Sequence, residues 1–290
     1  MSFCVQIDRP RISDSSFTSL GLGVFDGYHI GHQSIGNKVE ALLTFNPHPA
    51  LVLKKKEQIP CLSSLDELRE LFENTYCLTF TEELSKLSAE DFLNKVILEQ
   101  TPAKKIVVGY DFKFGFNRQG DAQLLIAWGQ RHNIDIEIVD EVFLDGKAVH
   151  SSLIRQNLQQ GEFSKAQRLL GHPYLIRGTV IKGEGRGGSL GFPTANMLVP
   201  SNKCLPQNGV YKGFVRINDI EQKAMIYIGS KPTFNGLSQS IEVHILDFSK
   251  NIYDQTLSVY MTGWIRDQKK FDTKQALVEQ ITDDIRLAYD

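Results

Sequence analysis

The periodicity of this chain changes once, at Gly171-His172-Pro173, and that change limits the possible folds more than any other feature. Before it, the short apolar runs "SLGLGVF", "ALLTF", "YCLTF" and "KIVVG" alternate with helical stretches near 64–73 and 89–98, and "HNIDIEIVDEV" supplies a further strand. Strands that alternate with helices predict βαβ units and a parallel sheet. From Ser151 the pattern is helical, broken at Gly161 and stopped at Gly171 and Pro173. Glycine adopts the left-handed conformation that closes a helix, and proline cannot continue one. Beyond it, "YLIRGTVIKG", "GVYKGFVRIN", "KAMIYIG", "IEVHILDF" and "LSVYMTGWI" read as strands of a small antiparallel barrel or sandwich. One helix follows over 272–289, with Leu277, Ile281, Ile285 and Ala288 at helical spacing. A chain of 290 residues is long for a single core, so two domains are expected, 1–170 and 171–290.

Composition narrows the function. With 32 Lys plus Arg against 34 Asp plus Glu, and one dense basic run at 54–56, the chain lacks the basic footprint of a general nucleic-acid binder. Cys4, Cys61, Cys77 and Cys204 are scattered without a C-x-x-C pair, which argues against a disulfide framework or a cysteine-rich zinc site and fits a reducing cytoplasm. The first twenty residues hold Asp8, Arg9, Arg11 and Asp14 and no apolar core, and no window reaches the run of roughly 18 apolar residues that a spanning helix needs, so neither a secretory signal nor a membrane anchor is expected.

The stretch "GVFDGYHIGH", residues 23–32, sits where a strand ends and a helix should begin. A strand ending at Phe25, a glycine turn and a helix beginning near Gly31 put His29 and His32 at the N-terminus of that helix, where free amide groups and the helix dipole favour an anion, and Gly23, Phe25, Asp26, Gly27 and Gly31 are expected to bind the phosphates with them. Zinc is the competing reading, but the nearby additional ligands are Asp26 and His48 alone. The ten residues resemble the G-x-F-D-G-x-H-x-G-H motif of the nucleotidyltransferase superfamily, whose two histidines stabilise the phosphates of ATP. The second motif of that superfamily is resembled by "HSSLIR", with Ser151, Ser152 and Arg155 as a second phosphate grip.

In the second half, "GEGRGGSLGFPTANM" contains Gly183, Gly185 and Gly188 at dinucleotide-fingerprint spacing, yet Pro193 and the absence of a following helical pattern exclude that reading. The run resembles the signature of riboflavin kinases. The resemblance implies a glycine loop over ATP, with Gly183, Gly185 and Gly187, and implies that Thr194 and Asn196 hold the nucleotide and its magnesium. In "SIEVHILDF", alternation puts Ile241, Val243 and Ile245 on one face and Glu242, His244 and Leu246 on the other. It resembles the family strand whose glutamate is the proposed base, so Glu242 is the expected base.

Together these motifs resemble the prokaryotic bifunctional riboflavin kinase/FMN adenylyltransferase family, also called FAD synthetases. That resemblance implies a Rossmann-like nucleotidyltransferase domain with a parallel sheet, followed by a small antiparallel β-barrel with a C-terminal helix. It implies ATP and Mg2+ as requirements, riboflavin, FMN and FAD as substrates and products, and no nucleic-acid or membrane partner. Flavin is expected against Phe45, Asn46, Pro47 and His48, against Asp111 and Phe112, and against Arg266. Twelve residues separate His32 from Phe45, so the helix behind the phosphate motif is expected to be short or missing. The alternatives are a riboflavin kinase whose first domain only binds nucleotide or flavin, and a non-catalytic flavin-binding regulator.

Overall fold

A computed structural model describes residues 6–8, 17–53, 58–183, 187–217, 220–233 and 236–289. Cys4, the basic run at 54–56 and Gly185 of the expected nucleotide loop lie outside the described residues. The chain divides into two compact units, Met1–Ser151 and Ser152–Asp290.

The first unit is built on strands β1 (Ile7–Asp8), β2 (Ser19–Leu22), β3 (Ala41–Asn46), β4 (Thr75–Thr79), β5 (Lys105–Gly109) and β6 (Asp135–Val139). They form one sheet in the order β1-β4-β3-β2-β5-β6, parallel except for the edge strand β1. Its strands carry apolar residues on both faces. Leu42 and Val107 pack with Phe25, Tyr28, Ile35 and Leu68 on one side. Leu20, Leu22, Leu43, Ile106 and Val108 pack with Phe92, Leu93 and Trp128 on the other. Covering helices on both faces are what a parallel sheet requires. They include α1 (Ile30–Gly36), α2 (Pro49–Val52), α3 (Leu65–Leu71), α4 (Glu82–Ser85), α5 (Ala89–Phe92) and α6 (Ala122–His132).

Local signals explain the boundaries. Ser64 caps α3 in a reciprocal box with Glu67, each side chain bonded to the other's backbone amide. The helix expected over 89–98 turns into a π-helical segment at Leu93–Leu98, where the Asn94 side chain accepts the Trp128 indole N–H at 2.8 Å. Helix α6 was not among the sequence expectations. Its signals are the Asp121 cap, which accepts the Leu124 amide, and Asn133 in the left-handed conformation at its end.

The second unit opens with α7 (Ser151–Gln159), whose first residue belongs to the first unit, and α8 (Phe163–Leu170). They are separated at Gly161 (φ 78°) and closed by Gly171 (φ 74°), as the glycines predict. Six antiparallel strands then close a barrel: β9 (Tyr174–Ile181), β10 (Ala195–Leu198), β11 (Gly209–Ile217), β12 (Ile220–Thr233), β13 (Gly236–Ile245) and β14 (Thr256–Asp267). The barrel-or-sandwich alternative is thereby resolved. The strand that sequence reading did not count, β10, joins β13 to β9 and completes the closure. The last helix, α9 (Lys274–Tyr289), lays Ile281, Ile285 and Ala288 over Val210, Met225, Tyr227 and Leu246 on the outside of the barrel.

Candidate functional sites

In the first unit, β2 leads to β3 and β4 on one side, while β5 and β6 lie on the other, so the strand order reverses between β2 and β5. Ligands of open α/β sheets bind outside the carboxyl ends of the strands at such a reversal. The segment 23–32 leaves β2 at that point. Phe25 (φ 54°) and Tyr28 (φ 36°) flank Gly27 (φ 85°), and a positive φ is strained for an aromatic residue. Burial offsets the strain: Phe25 is fully enclosed and Tyr28 nearly so, and burial pushes the Tyr28 phenol up to about 12. Gly36 leaves room for that phenol, because a Cβ there would lie 2.0 Å from its oxygen.

The strained turn presents the two histidines as a pair. His29 is the N-cap of α1, its Nδ1 accepting the His32 amide at 3.3 Å. A neutral His29 ring therefore carries its proton on Nε2. The two rings stack at 3.6 Å, with His32 edge-on to Phe25 at 5.4 Å. Burial first, and then the charge of His29, hold His32 well below the ordinary value of 6.5. Its Nδ1 is buried without a hydrogen-bond partner. Gly31 packs closely here, since a Cβ would sit 3.2 Å from the His29 ring. The expected short helix is present, seven residues long.

Asp26 serves the loop rather than standing open beside the histidines. One carboxylate oxygen accepts the Leu62 and Ser63 amides at 2.8 and 3.0 Å, and its carbonyl accepts the Ser151 hydroxyl at 2.9 Å. Ser151 is thus placed beside the turn. Ser152 is exposed and Arg155 half-buried, both on α7 in the second unit. Among the described residues no three His, Cys, Asp or Glu side chains gather as a metal site would require.

Apart from Arg266 on β14, the residues expected to face flavin lie at or just beyond the carboxyl ends of β3 and β5, the two neighbours of β2. Phe45 meets Phe80 and Phe92, Phe92 meets Phe114, and Phe112 stacks on Phe114 at 5.4 Å, so these rings form one connected aromatic group. Asn46 and Pro47 are exposed and joined by a cis peptide, and His48 caps α2 through the Ala50 amide. Asp111 is exposed in the turn after β5.

In the second unit the candidate site lies on the outer face of the barrel. Ile226, Ile228, Ile241, Val243 and Ile245 are buried at alternate positions, which turns Tyr227, Glu242 and His244 outward. The outward face is itself partly covered, contrary to a simple solvated strand: His244 bonds the Pro193 carbonyl at 2.8 Å, and Leu246 is buried under α9. Glu242 precedes both on the same face, with Asn196 opposite it on β10 and Tyr227 opposite it on β12. The Thr194 hydroxyl donates to Glu242 Oε2 at 3.2 Å. Burial first, then the Glu242 charge, raise the Tyr227 phenol. The Gly183 backbone lies against the Asn196 amide, and a Cβ on Gly187 would be 2.4 Å from the Phe192 carbonyl, so the described glycines permit the close return of the loop.

Arg266 is engaged by the C-terminal helix. Its guanidinium grips the almost fully buried Asp284 of α9 with contacts of 2.7 to 3.0 Å, and donates to the Asp267 carbonyl. Gln280 adds a bond to the same carboxylate. This geometry gives Arg266 a role in holding α9 on β14.

Two family models match the chain: FAD synthetase over residues 12–153 and riboflavin kinase over 170–290. A bifunctional riboflavin kinase/FMN adenylyltransferase of Listeria monocytogenes is 32% identical over 282 residues, covering 91% of this chain and 89% of the relative. The chain belongs to this bifunctional family. The namesake from Escherichia coli K12 is 31% identical over 91% of this chain and 90% of its own length. A crystal structure described as a macrolide-efflux protein from Streptococcus pneumoniae superposes with a TM-score of 0.81 at 30% identity, covering 97% of this chain and 96% of that one. That description concerns the other protein; among the described residues here, no helix is long and apolar enough to cross a membrane.

Proposed function

We propose that this chain phosphorylates riboflavin to FMN in its 171–290 region and adenylylates FMN to FAD in its 1–170 region, using ATP in both steps, as a cytoplasmic enzyme. The observation that carries the kinase assignment is Glu242, held by the Thr194 hydroxyl opposite Asn196 and beside the glycine loop. Glu242 accepts the proton of the ribityl hydroxyl, whose oxygen bonds the γ-phosphorus as the bond to ADP breaks. Thr194 and Asn196 offer a hydroxyl and an amide carbonyl, hard oxygen donors suited to magnesium on a nucleotide. Bound there, the ion would neutralise phosphate charge. The Thr194 hydroxyl can donate to Glu242 while its lone pairs face the nucleotide side.

In the adenylyl step an FMN phosphate oxygen attacks the α-phosphorus of ATP and pyrophosphate leaves. His29 meets phosphate through Nε2–H, because its Nδ1 is committed to the His32 amide. The unpartnered Nδ1 of the buried His32 is a second polar group awaiting a ligand. Ser151, bonded to the Asp26 carbonyl of the turn, adds a hydroxyl to the phosphate grip, and the aromatic group at Phe45 and Phe112 receives the flavin ring.

A kinase-only reading draws on the seven-residue α1, too short to supply much dipole. The deciding experiment follows FMN and FAD separately by chromatography, with purified protein, riboflavin, ATP and magnesium. Both products are expected. FMN without FAD, including when FMN is supplied directly, would establish the kinase-only reading; neither product would overturn both.

A further inference from the structure

Three side chains that have been given no role so far, Tyr110, Glu141 and His150, meet beside the adenylyl-transfer candidate. Strand β6 continues past Val139 into a hairpin of two short strands, Phe143–Leu144 and Lys147–Ala148. Val149 donates its amide to the Val142 carbonyl at 2.9 Å, which extends the same register by one pair. The next pair in that register is Glu141 with His150, and their side chains meet at 3.3 Å between His150 Nε2 and Glu141 Oε1. The same oxygen accepts the Tyr110 hydroxyl at 2.5 Å. Tyr110 follows β5, its amide bonded to the Val139 carbonyl. The bond to Glu141 is the main cause that pushes its phenol up to about 12, so it donates throughout the neutral range.

The trio joins two walls of one site. On one side Tyr110 precedes Asp111 and Phe112, the loop assigned to the flavin. On the other His150 precedes Ser151, which holds the Asp26 carbonyl of the phosphate turn, and the preceding residue, Val149, has its carbonyl facing Gly31. We propose that Glu141, through Tyr110 and His150, is a positioning residue for FMN adenylylation, setting the flavin loop against the strand that presents Ser151. The inference rests on the adenylyltransferase reading above. Stability is not the point: Tyr110 and His150 are each nearly half exposed, and pairs of that kind add little to folding. Placement is the point, because transfer between two bound substrates is sensitive to small errors in their mutual orientation.

The test uses the full-length protein and steady-state kinetics with supplied FMN, and riboflavin phosphorylation in the same molecule serves as the internal control. Glu141→Ala is expected to raise KM for FMN and lower kcat for FAD formation by a combined factor of about tenfold, with KM for ATP and the kinase rate unchanged. Tyr110→Phe should give part of that loss, and adding it to Glu141→Ala should give no further loss, since the two act as one unit. Glu141→Gln keeps an acceptor for Tyr110 and should recover part of the rate. Unchanged FMN kinetics in Glu141→Ala would overturn the proposal, as would an equal fall in both activities, which would mark a general structural role. A wild-type protein that forms no FAD from FMN would instead overturn the adenylyltransferase reading.

Discussion

The two units solve one problem, holding a nucleotide phosphate beside an acceptor, with opposite architectures. In the parallel-sheet unit the polar groups stand on turns beyond the strand ends, and strained backbone at Phe25 and Tyr28 aims them. In the barrel unit the key carboxylate stands mid-strand, and ladder register alone brings Glu242 between Asn196 and Tyr227. The loop site gains amide donors and paired imidazoles; the strand site gains a fixed carboxylate. An anion cradle needs free backbone N–H groups, which a ladder has already used, whereas a base needs one side chain held in place.

Because the two candidate sites are built from different residues, each can be broken without the other. Glu242→Gln should lower riboflavin phosphorylation by about 10²- to 10⁴-fold, the range for a lost general base, and leave FAD formation from supplied FMN intact. Unchanged FMN output would remove Glu242 from the mechanism. The His29→Ala, His32→Ala double variant should show the reverse, with FAD formation down by roughly 10²-fold or more and FMN formation kept. A chain that still makes FAD at the original rate would mean the turn is not a phosphate site.

A third break concerns stability. Asp284 is buried and its carboxylate answers Arg266, so Asp284→Ala leaves a guanidinium without its partner and should cost the barrel about 3–5 kcal/mol by chemical denaturation. The unfolding of the sheet unit should not move. A shift below about 1 kcal/mol would show that α9 is held by its apolar face alone.

The smallest effect separates the units by pH. His32 is held below its ordinary 6.5, so the unfolded chain binds more protons than the folded one between the depressed value and 6.5. Stability of the sheet unit should therefore fall as pH drops through 6.5 and level off below the folded value. Replacing His32 with Asn should flatten that dependence in a denaturation series. An identical slope in the variant would assign it to other groups.

Much of this was legible before any coordinates. Ser64 with Glu67, Gly161 and Gly171 set helix boundaries through local hydrogen bonds and backbone freedom, which depend on neighbours in sequence. Alternation in "SIEVHILDF" placed Glu242 on the face opposite the apolar residues, because strand side chains alternate whatever the partner strands are. The family motifs singled out both histidines and the P-T-A-N residues as candidates, and their roles are part of the proposal. Helix α6 and strand β10 escaped, and for β10 four residues are too few to show a period.

What sequence could not decide were the partners of polar side chains distant along the chain. Arg266 reads equally well as a ligand for nucleotide or flavin or as an ordinary surface arginine, and the buried Asp284, eighteen residues away, engages its guanidinium. Asp26 reads as a phosphate-site residue, and the amides of Leu62 and Ser63 turn it into a brace for the loop. Local pattern fixes backbone conformation and which face a side chain takes, since both arise from short-range sterics and periodicity. The use of a charged group depends on which opposite charge or free amide the fold carries up to it, and burial then makes leaving it unmatched costly.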